Sequence, residues 1–225
     1  MSADETQLPD EMSRVLSLLS HEMRGPLGVI RGYLRFIEQS DEPLSERTEN
    51  AIAAALRASA RLADLLDEAS LVAHLRLGDV PIDRARMALA ALVESGVTRA
   101  SLPKETVAFD AASLPDVCVE VDHERMSAAV ATLIEVTARS QSDRAVVRIE
   151  GEQLVIGDEP TVRLRIIAPV AHDLAISEME LNVVRGGFGL AVLLAAMVVT
   201  AHWGSVRELY AGDRRIGVLL ALPIM

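Results

Sequence analysis

The sequence predicts a two-part fold, an α-helical hairpin followed by an α/β domain, and two patterns predict it. In roughly the first third of the chain, apolar residues recur every three or four positions, which is the period of a helix. Beyond residue 81, short runs typical of strands take over, interspersed with helical runs. A chain of 225 residues is long enough for two such parts, each with a core of its own.

The first helix is predicted over about residues 12–39, after a polar segment, residues 1–11, that we expect to be flexible. The apolar residues of this helix fall on one stripe of its surface, which should face a partner helix. The stripe consists of Val15, Leu19, Met23, Pro26, Ile30, Tyr33 and Ile37.

A second helix is predicted from about Ser45 to Leu75, because Pro43 and its polar neighbours form a turn. Two helices joined by a short turn make an antiparallel hairpin, here over residues 12–77. A lone hairpin leaves wide apolar faces uncovered, so we expect a homodimer in which two hairpins form a four-helix bundle. The alternative is a bundle completed by the second half of the same chain. The second stripe consists of Ile52, Ala55, Leu56, Ser59, Leu62, Leu66, Ala69 and Ala73.

The residues Gly78–Pro81 mark the predicted start of a second domain, residues 78–225. Mostly non-parallel strands with interspersed helices indicate an α/β sandwich. The expected helices are Ala85–Ser95, His123–Arg139 and Gly189–Thr200. The expected strands are Thr106–Phe109, Val117–Val121, Ala145–Glu150, Gln153–Ile156, Val162–Ile167 and Gly217–Leu222.

The composition excludes several classes of function. With 33 acidic against 22 basic residues, non-specific binding to nucleic acid or to an anionic membrane is not expected. The single cysteine, Cys118, rules out an internal disulfide and indicates a cytoplasmic setting. The longest uncharged stretch, residues 186–201, is shorter than the roughly 20 apolar residues of a spanning helix. We therefore expect no membrane segment, and no zinc-ligand spacing is present.

A glycine face surrounds His21 on the first helix. At about 100° per residue, Gly25, Gly28 and Gly32 project within about 40° of His21, opposite the apolar stripe. Each glycine costs a helix interior roughly 1 kcal/mol relative to alanine. The face is therefore predicted to leave room for another protein to approach the imidazole, the alternative being a solvated surface histidine.

The segment Leu19–Leu27 resembles the H-box of bacterial two-component histidine kinases, whose helical hairpin dimerises into a four-helix bundle. The resemblance implies that His21 accepts a phosphoryl group and that receiver domains of response regulators are the partners. Glu22 can orient the ring and accept its proton. Arg24 either contacts the phosphate or is a solvated surface arginine. Relatives with phosphatase activity carry Thr or Asn at the position of Gly25, so dephosphorylation of a partner should be weak.

The second half resembles the ATP-binding domain of the same kinases, through Asp122–Met126 and Gly187–Val192, but lacks residues that hold the nucleotide. Thr132 and Val136 stand where the family uses asparagines, the second of which helps to hold Mg²⁺. A valine offers this ion no oxygen. The next box, Asp-x-Gly-x-Gly in the family, falls on residues 168–172, with Ala168, Val170 and His172 at its three fixed positions.

These losses predict a degenerate domain with no cofactor and no metal site. Gly187 and Gly189 are then vestigial and make a tight turn, although glycines at a helix N-terminus can also cradle phosphates. We expect Trp203 to be a core anchor. The remaining histidines are expected to be structural or exposed, and these are His74, His123, His172 and His202.

The leading hypothesis is a histidine phosphotransferase, similar to those of the ChpT type. The receiver domain would supply Mg²⁺, and His21 would relay phosphoryl groups between aspartates without ATP. One alternative is a non-catalytic pseudokinase scaffold that binds response regulators or a kinase. The other is a kinase without a sensor and with a divergent ATP site.

Overall fold

In the computed structural model of the chain, the described residues are 3–39, 44–140, 146–169, 175–181 and 189–224. They divide into two units, Met1–Val80 and Pro81–Met225. The described part of the first unit holds two long helices, and that of the second holds three α-helices, two short 3-10 helices (Lys104–Thr106 and Ala111–Ser113) and two sheets. This architecture confirms the predicted helical hairpin followed by an α/β domain.

The hairpin consists of α1 (Ala3–Glu38) and α2 (Glu46–Leu77). The helix α1 extends to Ala3, through residues that the sequence analysis assigned to a flexible terminus, because extending an existing helix costs little. Ser45 caps α2 by accepting a hydrogen bond from the backbone N–H of Thr48 at 3.2 Å. At the other end, Gly78 adopts the left-handed conformation (φ 71°), which is how many helices end.

The two helices do not bury the predicted stripe of α1. Among the side chains of α1 whose burial is described, Leu16 and residues 19–38, the buried ones are Ser20 and Leu27, which lie roughly 90° around the helix from that stripe. From Leu19 to Ile37 the stripe is not buried, with Ile30 52% and Tyr33 68% exposed, and Val15 lies outside the described side chains. On α2 the buried residues include four spaced seven apart, and Leu62, predicted with them, is exposed. The four are Ile52, Ser59, Leu66 and Ala73.

The second unit contains a six-stranded sheet of order β2-β4-β5-β8-β7-β6 and a separate pair, β1 with β3. Neighbouring strands are antiparallel except β2 and β4, which are parallel. The strands are β1 (Ala85–Ala88), β2 (Val107–Ala108), β3 (Cys118–Val121), β4 (Val147–Ile156), β5 (Glu159–Ile167), β6 (Ile176–Glu180), β7 (Ser205–Ala211) and β8 (Arg214–Pro223). The helices are α3 (Leu89–Arg99), α4 (His123–Arg139) and α5 (Gly189–Ala201).

The core of this unit lies between the large sheet and the helix α4. This helix packs on β4, β5 and β8, with α3 and α5 beside it, and α5 also contacts β7. Along β5, Val162, Leu164 and Ile166 are fully buried, whereas Arg163 and Arg165 between them are partly exposed. This alternation is the two-residue period of a strand with one face on the core.

Several predicted elements differ from the structure. The residues Ala85–Ala88, expected to begin a helix, form β1 because they pair with β3, and the helix starts at Leu89. The two runs expected on either side of Gly151 form one strand, β4. The strands β6 and β7 were not predicted, since β6 is exposed throughout and the buried Glu208 interrupts the apolar pattern of β7.

Trp203 is not a core anchor. It follows α5 with a positive φ of 59°, and its side chain is 61% exposed. The guanidinium of Arg84 lies over the indole at 4.1 Å from the ring centroid. The chain reverses at this position, so the side chain points away from the core that α5 faces. The ring is instead held by a cation–π contact.

Candidate functional site

His21 projects from α1 into solvent. Within the residues that the structure describes, its ring takes part in no hydrogen bond or ion pair. Glu22 is exposed as well and makes no hydrogen bond to His21. Both ring nitrogens are therefore open to an incoming group, and any contact with Glu22 would have to form when that group arrives.

The glycine face beside His21 is open. A Cβ atom added to Gly25, Gly28 or Gly32 would meet no atom within 4 Å. All three residues are exposed, so this side of α1 carries no bulk next to the imidazole. Two large apolar side chains border this face, Val29 at 58% and Phe36 at 74% exposed, and the sequence analysis missed both. A partner surface can approach the backbone here and meet apolar side chains on one flank.

Arg24 is joined to α2 rather than free in solvent. Its Nε and Nη2 atoms donate to one carboxylate oxygen of Asp67, Oδ1, at 3.1 and 2.8 Å. Both side chains stay accessible, at 42% for Arg24 and 68% for Asp67. Sequence reasoning missed Asp67 because it lies 43 residues from Arg24 along the chain.

Two further acidic residues of α2, Asp64 and Glu68, lie close to Asp67 in the sequence. Burial raises the pKa of Glu68 above its ordinary value, the attraction of Arg61 opposes that rise, and the charge of Asp64 adds to it. The Arg61–Glu68 contact is long, at 3.8 Å, so it compensates little. This part of α2 therefore combines exposed acidic residues with one carboxyl group that resists ionisation.

The positions matched to the nucleotide-binding boxes offer little to a nucleotide. Thr132 donates its hydroxyl to the carbonyl of Ala128 at 3.1 Å, within its own helix. Val136 and Ala168 are buried hydrocarbon side chains, and the backbone N–H of Ala168 bonds to the carbonyl of Ile216. A carboxylate that reads adenine and an amide oxygen for Mg²⁺ are thus missing from these positions.

Other residues named for the nucleotide site cannot be placed. Val170, His172 and Gly187 lie outside the described residues. Gly189 is the first residue of α5. In the described part of the chain, no cluster of three or more His, Cys, Asp or Glu side chains is arranged to hold a metal. No helix there is long and apolar enough to span a membrane.

His202 is structural. It is buried, its Nδ1–H donates to the carbonyl of Val198 at 2.7 Å, and its Nε2 accepts the backbone N–H of Asp122 at 2.9 Å. A carbonyl only accepts and an N–H only donates, so the ring is the neutral Nδ1–H tautomer. Asp122 in turn caps α4 by accepting the N–H of Arg125. Burial alone would raise the pKa of Asp122, but the hydrogen bonds from Arg125 lower it.

Known proteins match the hairpin and, in some cases, most of the chain. The family model of the His Kinase A (phospho-acceptor) domain matches residues 11–77, which include His21. The sensor histidine kinase TrcS of Mycobacterium tuberculosis is 27% identical over 209 residues, 87% of this chain and 40% of that protein. The phosphate regulon sensor protein PhoR of Pseudomonas aeruginosa is 33% identical over 89 residues, 40% of this chain and 20% of that protein.

Solved structures show the same fold. Full-length ShkA, in a crystal structure with AMPPNP, aligns with a TM-score of 0.67 at 18% identity, over 94% of this chain and 46% of that one. The histidine kinase AdeS of Acinetobacter baumannii aligns with a TM-score of 0.56 at 14% identity, over 91% and 98%. The chain spans about two fifths of the length of TrcS. Residues 11–77 thus match the phospho-acceptor domain of histidine kinases, and most of the chain is similar to sensor histidine kinases.

Proposed function

We propose that the chain is a histidine phosphotransferase that relays phosphoryl groups between receiver-domain aspartates through His21, without using ATP. One contrast carries the proposal. His21, the proposed phosphoacceptor, is exposed on an open glycine face. The described positions matched to the nucleotide-binding boxes, Thr132, Val136 and Ala168, lack the groups that would bind Mg-ATP.

The relay needs only groups that the chain and a receiver supply together. An imidazole nitrogen of His21 attacks the phosphorus of a phosphoaspartate, and the bond between phosphorus and the aspartate oxygen breaks. The other ring nitrogen loses its proton, to Glu22 or to solvent. The receiver brings Mg²⁺, which neutralises the phosphoryl charge, and the reverse reaction passes the group to a second aspartate.

The hairpin is proposed to act as a homodimer in the cytoplasm. The exposed stripe of α1, centred on Ile30, would pack against the stripe of a second copy and complete a four-helix bundle. His21 and the glycine face point away from that stripe, so docking of a receiver remains compatible with dimerisation. Gly25 provides no side chain to position water, so we expect little phosphatase activity towards the receiver.

A kinase with a divergent nucleotide site is the second candidate, since the matched relatives are sensor kinases and ShkA was solved with AMPPNP. A non-catalytic scaffold for response regulators is the third. The three differ in the source of label on His21. A kinase takes it from ATP, a phosphotransferase takes it from a receiver, and a scaffold takes none.

The test is a labelling assay with the purified chain, a panel of phosphorylated receiver domains, and a separate lane with Mg-ATP alone. Label from a receiver that disappears in His21→Ala, and persists in the matched control His123→Ala, supports the phosphotransferase. His123 is also an exposed histidine. Label from ATP alone would support the kinase instead, and unlabelled protein in every lane would favour the scaffold.

A further inference from the structure

The contact between Arg24 and Asp67 uses only part of the guanidinium. Two of its N–H donors, from Nε and Nη2, converge on the same oxygen, Oδ1 of Asp67. A guanidinium carries five donors, so three remain, including both on Nη1. Within the described residues no other acceptor meets them. Arg24 is therefore held in place but still able to bind a further anion.

Arg24 lies three residues after His21 on α1. Residues three apart on a helix are surface neighbours, with about 5–6 Å between their Cβ atoms. The ion pair holds Arg24 on the side of α1 that faces α2, and 42% of its side chain is accessible. A phosphoryl group on the imidazole of His21 would thus lie within reach of the arginine.

We propose that Asp67 competes with a phosphoryl group on His21 for the guanidinium of Arg24. The inference rests on the proposed function, since it concerns the phosphorylated state of His21. An exposed ion pair contributes little, so Arg24 exchanges easily between the two anions. A phosphoryl group offers three strong acceptor oxygens, whereas Asp67 engages Arg24 through one. Asp67 thereby limits how firmly the phosphoryl group is held, which favours its onward transfer.

The surrounding charges supply a matched control. Glu22 on α1, and Asp64 and Glu68 on α2, are the other acidic residues near this ion pair in sequence. Asp64 is exposed, carries the same charge as Asp67 and makes no hydrogen bond or ion pair with Arg24. The variant Asp64→Asn therefore removes one negative charge from α2 without releasing the arginine.

The experiment phosphorylates the full chain with phosphoramidate, a small donor that replaces the receiver. The P–N bond of the donor breaks, phosphorus bonds to a nitrogen of the imidazole, and ammonia leaves with the ring proton as ammonium. The ³¹P NMR signal that is absent from His21→Ala belongs to the phosphoryl group on His21. Its chemical shift is followed as the pH is changed, because the midpoint of that change reports the proton affinity of the phosphoryl group. A nearby guanidinium lowers that midpoint.

We expect Asp67→Asn to lower the midpoint by about 0.3–0.7 pH units, a two- to five-fold change of the size an exposed ion pair supplies. Arg24→Ala should raise it, and Arg24→Ala with Asp67→Asn should behave like Arg24→Ala alone. Asp67→Glu and Asp64→Asn should stay close to wild type. Circular dichroism of each variant verifies that the hairpin is folded.

Three outcomes would overturn the proposal. Equal shifts in Asp67→Asn and Asp64→Asn would mean that only the overall charge of α2 matters. An unchanged midpoint in Arg24→Ala would mean that Arg24 does not reach the phosphoryl group. An unchanged or raised midpoint in Asp67→Asn would mean that Asp67 does not compete with the phosphoryl group for Arg24. Failure of receivers to label His21 counts against the proposed function, whereas the phosphoramidate titration decides the role of Asp67.

Discussion

His202 and Asp122 are buried polar residues whose hydrogen bonds make them part of the core. The ring of His202 accepts one backbone N–H and donates to one carbonyl, which leaves no place for a second ring proton. Burial lowers the pKa of His202, a hydrogen bond to the carbonyl of Val198 opposes this, and the charge of Arg84 lowers the pKa further. The histidine is thus a neutral connector between α5 and the start of α4.

The depressed pKa of His202 predicts a stability that depends on pH. In the unfolded chain a histidine titrates near 6.5, so the unfolded state binds the proton first as the pH falls. The contribution of His202 is fully present above about pH 6.5 and is lost as the pH falls towards the lower pKa of the folded state. Urea unfolding at pH 7.5 and 5.5 should show this loss in the wild type.

The variant His202→Gln removes the titrating group and should make the free energy of unfolding less dependent on pH over this interval. His123→Gln, at an exposed histidine, should retain the dependence of the wild type. If both variants kept that dependence, another group would be responsible.

Glycines have opposite roles in the helices α1 and α3. On α1, Gly28 faces open space, where a Cβ atom would meet nothing within 4 Å. On α3, Gly96 lies against α4, where an added Cβ atom would lie 2.8 Å from Cβ of Val130. One glycine leaves a helix surface open, and the other allows two helices to approach closely.

The same substitution should therefore have opposite effects at these two glycines. Gly28→Ala should raise the free energy of unfolding by about 0.5–1 kcal/mol, because alanine restricts the unfolded chain and fits the helix. Gly96→Ala should lower it by about 1–3 kcal/mol through overpacking against Val130. Urea unfolding of both variants measures the difference.

A larger side chain at Gly28 should separate stability from docking. Gly28→Leu should leave the helix at least as stable as wild type, yet reduce phosphoryl transfer from a receiver at least about tenfold, since the side chain occupies the open face beside His21. Gly28→Ala serves as the control for helix propensity. Transfer at the wild-type rate in Gly28→Leu would show that this face is not used for docking.

At the scale of the whole molecule, the exposed stripe of α1 favours a second copy of the chain as its cover. Ile30 lies on this stripe at 52% exposure, whereas its neighbour Val29, at 58%, lies about 100° away towards the glycine face. The two residues are nearly equal in exposure and differ in the face they occupy. They therefore form a matched pair for testing the dimer.

Ile30→Glu should convert the proposed dimer into a monomer, with dimer affinity reduced at least about a hundredfold, because it would place a charge in the core of the proposed four-helix bundle. Val29→Glu should remain dimeric. Light scattering during size-exclusion chromatography over a range of concentrations measures both. A monomeric wild type at micromolar concentration, or equal disruption by both variants, would contradict the predicted bundle.

Local sequence patterns were enough to predict those parts of the protein whose signals lie within one segment of the chain. The helix α4 runs from His123 to Arg139 as predicted, because its apolar period and the capping Asp122 lie within one segment. The hairpin helices and most strands followed from the same kind of signal. His21 and its glycine face could be found because they lie within three turns of one helix.

Which surfaces meet became visible in the folded chain alone, because those contacts join residues far apart in the sequence. It placed Ser20 and Leu27 of α1 in the hairpin interface and left the predicted stripe open. It paired Arg24 with Asp67, exposed Trp203 and added the edge strand β6. A periodic pattern shows that a helix has an apolar face, but which face another helix covers depends on packing across the whole fold.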